Sequence, residues 1–292
     1  MTVGFLDRLA ARSAAVGSVL CLGLDPDPAG LPAGFRPDIG GVEAFCRVLV
    51  GAAAPSAAAI KPNLAFFEAF GPEGIAALER IRAALPSDLP FIADVKRGDI
   101  GTTAARQAAA LFDRLGADAV TVNPYLGAEA IGPLLDRADR FAYVLCRTSN
   151  PGAGELQDLD VAGDPATDAP AERLFERVAR RATGWGPGGT VGLVVGATAP
   201  AEMARIRAVA PGLAFLVPGV GAQGGDVEPV LEHGPATAGP AAAGIGRGLL
   251  VNVSRGISGA ASDGAGRSPA DDPGEAIARA AASWARRLPV LP

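Results

Sequence analysis

The amino-acid sequence predicts an α/β protein folded as a single-domain (β/α)8 barrel of the TIM type. Three observations predict it. Eight apolar runs of β character recur along the 292 residues, and segments with apolar residues at helical spacing lie between them. The runs are apolar throughout rather than alternating, as strands buried on both faces of a parallel sheet must be. A parallel sheet covered by helices can also be an open doubly wound sheet, which is the alternative. Eight units in this length favour closure. No G-x-G-x-x-G follows the first run and no Walker A sequence occurs, so nucleotide-binding versions of the open sheet lose support.

The elements follow in order. In MTVGFLDRLAARSAAVG, Phe5, Leu6, Leu9 and Ala10 share one helical face, which predicts a short N-terminal helix. The strand runs are SVLCLGLD (18–25), AAIKPN (58–63), FIADVK (91–96), AVTVNPY (119–125), FAYVLCRT (141–148), VGLVVGAT (191–198), AFLVPGVG (214–221) and GLLVNVSR (248–255). The segments VEAFCRVLVGAA, GIAALERIRAAL, TTAARQAAALFDRLG, AERLFERVARRA and AEMARIRAVA read as helices, several of them ended by Gly or Pro. Three stretches break the rhythm: NPGAGELQDLDVAGDPATDAP after the fifth run, HGPATAGPAAAG before the eighth, and SGAASDGAGRSPADDPG after it. Rich in Gly, Ala, Pro and Asp, they read as loops, with insertions near 150–170 and 258–273 in one domain spanning 1–292. The first and last follow strand C-termini, where barrel enzymes build their sites, so a lid role is open to them. A passive insertion is the default for the last.

Composition narrows the function classes. An apolar share of 49% with 20% charged residues fits a globular enzyme and excludes wholesale disorder. A net charge of -5 with both signs interspersed offers no basic stripe for nucleic acid and no polybasic segment for a membrane, so a small molecule is the expected partner. Cys21, Cys46 and Cys146 are odd in number and lack C-x-x-C spacing, which suggests buried thiols in a reducing compartment. The N-terminus resembles neither a signal peptide nor a membrane span, and the apolar stretch from Val48 to Ile60 is too short to cross a bilayer and contains Pro55. The expected location is the cytoplasm.

Only two of the 26 basic residues are lysines, Lys61 and Lys96, and both close apolar runs. Arginine does not deprotonate in proteins, so these are the two basic side chains with a tunable proton, the lone His233 in its Pro/Gly-rich loop aside. The third run ends A-D-V-K-R-G-D-I. Residues two apart on a strand share a face, so Asp94 and Lys96 point the same way while Asp99 lies just beyond in the loop. Asp25 closes the first run and Lys61 the second, so charged groups from adjacent strands converge at the barrel mouth. Alternating ammonium and carboxylate groups hold each other ionised. A prearranged ammonium of this kind can both stabilise a developing carbanion and supply its proton. With one histidine there is no His-based metal cluster and no conventional Ser-His-Asp triad.

The D-x-K-x-x-D-I motif at Asp94, Lys96, Asp99 and Ile100, with Lys61 on the preceding run, resembles the orotidine 5'-phosphate decarboxylase family. The likeness continues in Asp25, in S-N-P-G at Ser149 to Gly152, in P-G-V-G-A-Q-G-G-D at Pro218 to Asp226, and in S-R-G-I at Ser254 to Ile257, all in the family's order. The segment after the motif reads G-T-T rather than the family's common P-N-T, which resembles the longer bacterial (type 2, actinobacterial-like) subgroup; Thr103 keeps the spacing.

The resemblance implies decarboxylation of orotidine 5'-phosphate to UMP in pyrimidine biosynthesis, without metal or cofactor. Lys96 would protonate C6 of the pyrimidine, Asp94 would sit against the substrate carboxylate, and Lys61 would link Asp94 to the ribose. Asp99 and Thr103 would reach the partner subunit's site, making the enzyme a homodimer with shared active sites. Asp25 would bind the ribose, Ser149 the pyrimidine edge, and Gln223 and Arg255 the phosphate. Arg255 is preferred to Arg247 because it ends the eighth run rather than preceding it. Asn123 is open to a supporting role in the site or to turn capping before Pro124. The alternatives are a magnesium-dependent sugar-phosphate decarboxylase or aldolase of the same suprafamily, and a non-catalytic nucleotide-binding barrel. The magnesium relatives carry an acidic residue near the second strand, where this chain has Lys61.

Overall fold

In the computed structural model, residues 3–163, 170–221, 223–262 and 272–291 are described. Eight strands run parallel: β1 (Leu20–Leu24), β2 (Ala59–Pro62), β3 (Ile92–Arg97), β4 (Ala119–Val122), β5 (Phe141–Arg147), β6 (Val191–Val195), β7 (Ala214–Val217) and β8 (Leu249–Val253). Their spatial order is β2-β1-β8-β7-β6-β5-β4-β3. Bridges from Ile60 to Phe91 and from Asn63 to Asp94 join the two ends, so the sheet closes as the sequence predicts.

Apolar strands hide which side chains face which way, and the packing resolves it. Leu20, Leu22 and Leu24 belong to an outer core with Val42, Phe45 and Leu49 of helix α1 (Ile39–Ala53). Cys21, Ala59, Ile92, Ala119, Tyr143 and Leu250 belong to a second, inner cluster. That inner cluster contains Phe5 and Leu9 of the N-terminal helix Phe5–Val16, which caps the end of the barrel where the strands begin. The Phe5 ring stacks on Phe141 with centroids 4.8 Å apart and meets Tyr143 edge-on at 6.1 Å. Gly17, at φ 66°, ends the N-terminal helix in the left-handed conformation and sends the chain into β1.

The apolar segment that includes Val48 starts earlier than the strand-and-helix pattern suggests. Ile39–Ser56 is long and apolar enough to cross a membrane, but Val42, Phe45, Cys46, Leu49 and Val50 are buried against the barrel. The insertion expected near 150–170 is more than loop. Asp160–Val161 pairs antiparallel with Glu172–Arg173, and Glu172 is held by Arg177 and Arg180. Residues 164–169 of that insertion, and 263–271 of the one near 258–273, lie outside the described residues.

Candidate active site

Inward positions near the C-terminal ends of β1 to β4 carry the polar side chains. Lys61 Nζ donates to Asp94 Oδ2 at 2.5 Å, and Lys96 Nζ donates to Asp94 Oδ1 at 2.6 Å. One carboxylate therefore bridges two ammonium groups drawn from neighbouring strands. Exposure grades along this chain: the side chains of Lys61, Asp94 and Lys96 are 6%, 12% and 49% exposed, so Lys61 is the floor and Lys96 meets the open cleft.

Charge compensation keeps this array ionised. Burial works against the Lys61 charge, but the carboxylates of Asp94 and Asp25 outweigh it and hold the ammonium above its ordinary value. Burial likewise works against the Asp94 charge, yet Lys61 and Lys96 hold its carboxyl far below the usual carboxylate range. Asp94 is thus a fixed anion that anchors Lys96 while half of that lysine remains open to a bound molecule.

Strand alternation alone does not produce this geometry. Between Ala93 and Arg97 the β3–β4 register shifts, so that four steps on β3 match the two from Val120 to Val122 on β4. Within this irregularity Lys96 has φ 47°, in the left-handed region that a non-glycine residue rarely occupies. The Val95 and Lys96 N–H groups both donate to Thr121 Oγ1 at 2.9 Å, and the Thr121 hydroxyl donates to Asp94 Oδ1 at 2.9 Å.

The remaining expected residues surround a divided cleft. A cavity of about 460 Å³ contains Lys61, Asp94, Lys96 and Ser149; a second of about 590 Å³ contains Arg255, and Asp25, Asn63 and Gln223 line both. Ser149 Oγ bonds to Gln223 Oε1 at 2.8 Å, which ties the loop after β5 to the loop after β7. Arg255 opens the short helix Arg255–Ser258 directly after β8. Arg247 precedes β8, at the opposite end of that strand. Asp25 Oδ1 and Asn252 Oδ1 are buried without a donor among the described residues, so both can accept from the hydroxyls of a bound ligand.

Asp99 does not join the Lys61–Asp94–Lys96 array of its own chain. Its Oδ1 accepts from the Ile100 N–H at 2.8 Å, and it forms no ion pair among the described residues. The cause is the exit from β3: Gly98 packs so closely on Asn123 that a Cβ there would lie 2.8 Å from the Asn123 carbonyl oxygen, and the chain turns away into helix α2 (Gly101–Ala108). Thr103, in the first turn of that helix, is exposed. Asn123 resolves to turn capping, its Oδ1 accepting from the Tyr125 N–H at 3.0 Å. His233 lies at the end of helix Val227–His233 and lines neither cavity of the cleft.

Sequence reasoning missed Thr121, Asn252 and Asn63. The available signal was their place: each is polar and stands at or next to the end of an apolar strand.

Comparison with known proteins gives consistent results. The model of a family described as orotidine 5'-phosphate decarboxylase / HUMPS matches residues 18–266. An orotidine 5'-phosphate decarboxylase of Haloarcula marismortui is 47% identical over 287 residues, covering 97% of this chain and 96% of the relative. One from Roseiflexus castenholzii is 49% identical over 239 residues, 82% of each chain. The structure of Leishmania donovani OMP decarboxylase is similar with a TM-score of 0.78 and 38% identity, covering 97% of this chain and 96% of that one.

Proposed function

The chain belongs to the orotidine 5'-phosphate decarboxylase / HUMPS family and decarboxylates orotidine 5'-phosphate to UMP and carbon dioxide, and from that premise we propose how its residues divide the work. The bond from C6 of the pyrimidine to the carboxylate carbon breaks, its electron pair stays on C6, and carbon dioxide departs. Lys96 supplies the proton that C6 then takes. The observation that carries this reading is the Lys61–Asp94–Lys96 array, in which the outermost ammonium is both anchored and open to the cleft. A fixed cation beside a developing carbanion stabilises it without reorganisation and delivers its proton from the same atom.

The other roles follow the cleft. Asp94 lies against the departing carboxylate. Lys61, buried beneath it, positions Asp94 and faces the ribose, whose hydroxyls donate to Asp25. Ser149 meets the pyrimidine edge. Gln223 and Arg255 take the phosphate in the outer cavity, at the loops after β7 and β8 where barrels often bind one. Asp99 and Thr103 complete the site of a partner subunit in a homodimer, which accounts for their turning away from the cleft of their own chain. Three free, buried thiols accord with a reducing, cytoplasmic setting.

The second reading, a magnesium-dependent sugar-phosphate decarboxylase or aldolase, has the family description in its favour. Against it, the ammonium of Lys61 stands at the end of β2. Loss of orotidine 5'-phosphate absorbance in excess EDTA tests both. Unchanged turnover is expected; turnover that vanishes with EDTA supports the magnesium chemistry, and absence of turnover in any buffer supports a binding module.

A further inference from the structure

We infer that Thr121 is a positioning residue for the proton donor, its single hydroxyl holding the backbone and the carboxylate that together aim Lys96. The inference rests on the proposed role of Lys96.

Thr121 faces inward from the middle of β4 and is 2% exposed, while its neighbours Val120 and Val122 pack in the outer core. A threonine hydroxyl has one hydrogen and two lone pairs. Both lone pairs are used, because the amides of Val95 and Lys96 each donate to Oγ1 at 2.9 Å. The hydrogen is then committed to Asp94 Oδ1, also at 2.9 Å. No bonding capacity remains, and each bond reaches a different part of the same device.

The need for such a clamp comes from the irregular register. The shift between Ala93 and Arg97 takes the intervening amides out of the regular β3–β4 ladder, and the hydroxyl of Thr121 receives two of them. Lys96 keeps its left-handed φ of 47° with its own N–H engaged in this way. Without the hydroxyl, two amides and one carboxylate oxygen lose a partner at once, and a relaxed Lys96 backbone moves the ammonium off its line to the reacting carbon. Misplacement of a reacting group by an ångström costs about 100-fold in rate. A residue that only filled space would do so as well with a valine.

Steady-state turnover of orotidine 5'-phosphate by Thr121→Val and Thr121→Ser, with UMP binding measured by calorimetry, separates the two roles. In Thr121→Val, kcat is expected to fall about 100-fold while KM and the UMP Kd stay within about three-fold; Thr121→Ser is expected within about three-fold of wild type throughout. A fully active valine variant overturns the inference. So does a serine variant as poor as the valine one, or a rise in KM and Kd that matches the fall in kcat. Should Thr121→Val not fold, Thr121→Cys replaces it, keeping the shape with a weak donor and acceptor, and serine-like activity in that variant counts against the clamp. Wild-type turnover in the same assay tests the underlying role separately: an inactive wild type removes both, an active wild type beside an active valine variant removes only the clamp.

Discussion

Lys96 Nζ sits 2.6 Å from Asp94 Oδ1 with 49% of its side chain still open, so the group that anchors the lysine does not consume it. Lys96→Ala therefore removes the proposed proton donor and leaves the Lys61–Asp94 pair beneath it. Turnover is expected to fall by at least about 10⁴-fold, the upper range for a general acid, with UMP binding and circular dichroism near wild type. A near-normal rate would sink the assignment.

Asp94→Asn changes the sign of a stability slope. In the wild type, the folded pKa of Lys61 is raised, so its stabilisation is present below the unfolded value and is lost as pH rises through the folded one, above about pH 10.4. With Asp94 neutral, Asp25 is the main remaining group opposing the burial of Lys61, and the folded pKa is expected to drop below the unfolded one. The unfolded state then binds more protons, and stability rises with pH. Urea unfolding is expected to show the variant weaker by about 3–5 kcal/mol at pH 7, gaining stability toward pH 10 while the wild type stays level. Parallel curves for the two proteins would contradict this.

Mixing two inactive variants tests the shared site. On the proposed shared site, Asp99→Ala and Lys96→Ala homodimers would each lack every complete site, whereas a mixed dimer would have one site built from intact residues of both chains. After dissociation and random reassembly, activity is expected to recover to about one quarter of wild type, since half the dimers are mixed and one of their two sites is whole. No recovery, with mixed dimers demonstrated by a tag pull-down, would place Asp99 outside the partner's site.

Gly196 follows β6 where the loop after β5 packs on it; an added Cβ would lie 2.8 Å from Ser149 N and 2.9 Å from its Cα. These are backbone atoms, so the loop itself has to move. Gly196→Ala is expected to raise KM at least about ten-fold through the displaced Ser149, with a smaller change in kcat. An unchanged KM would show that Ser149 does not meet the substrate.

Burial pushes the thiols of Cys21 and Cys46 up to about 12 and raises that of Cys146 further. With all three buried and protonated, the native chain is expected to be silent to a thiolate-trapping reagent at pH 8, and to release three equivalents in denaturant. Rapid native labelling would show that the barrel opens locally.

The strands were legible because parallel strands are apolar on both faces and stand out as unbroken runs; the charged residues that end them marked Asp25, Lys61, Asp94 and Lys96. The same continuity hid Thr121 and Asn252. In Val120-Thr121-Val122 and Leu250-Val251-Asn252-Val253 no polar alternation announces which face is inward, and that depends on neighbouring strands. Alternation placed Asp94 and Lys96 on one side, and they do meet, but through a register shift and a left-handed residue that pairwise spacing does not encode. Asp99 looked close to Asp94 in the chain, and the turn at Gly98 separates them. The Asp160–Val161 ladder was hidden by loop-like composition, its partner strand fixed in part by ion pairs of Glu172 with Arg177 and Arg180 of the following helix.

Phe5 and Leu9 close the barrel at the end opposite the lysines, which makes the cleft a cup rather than a tunnel. On the proposed roles, the nucleotide would enter by the mouth at the lysine end, and carbon dioxide, formed beside Lys96, would leave past the nucleotide that released it. With entry and exit sharing that mouth, emptying the cup would be a step of its own, governed by the proposed grip on the phosphate at the rim rather than by the chemistry at the base.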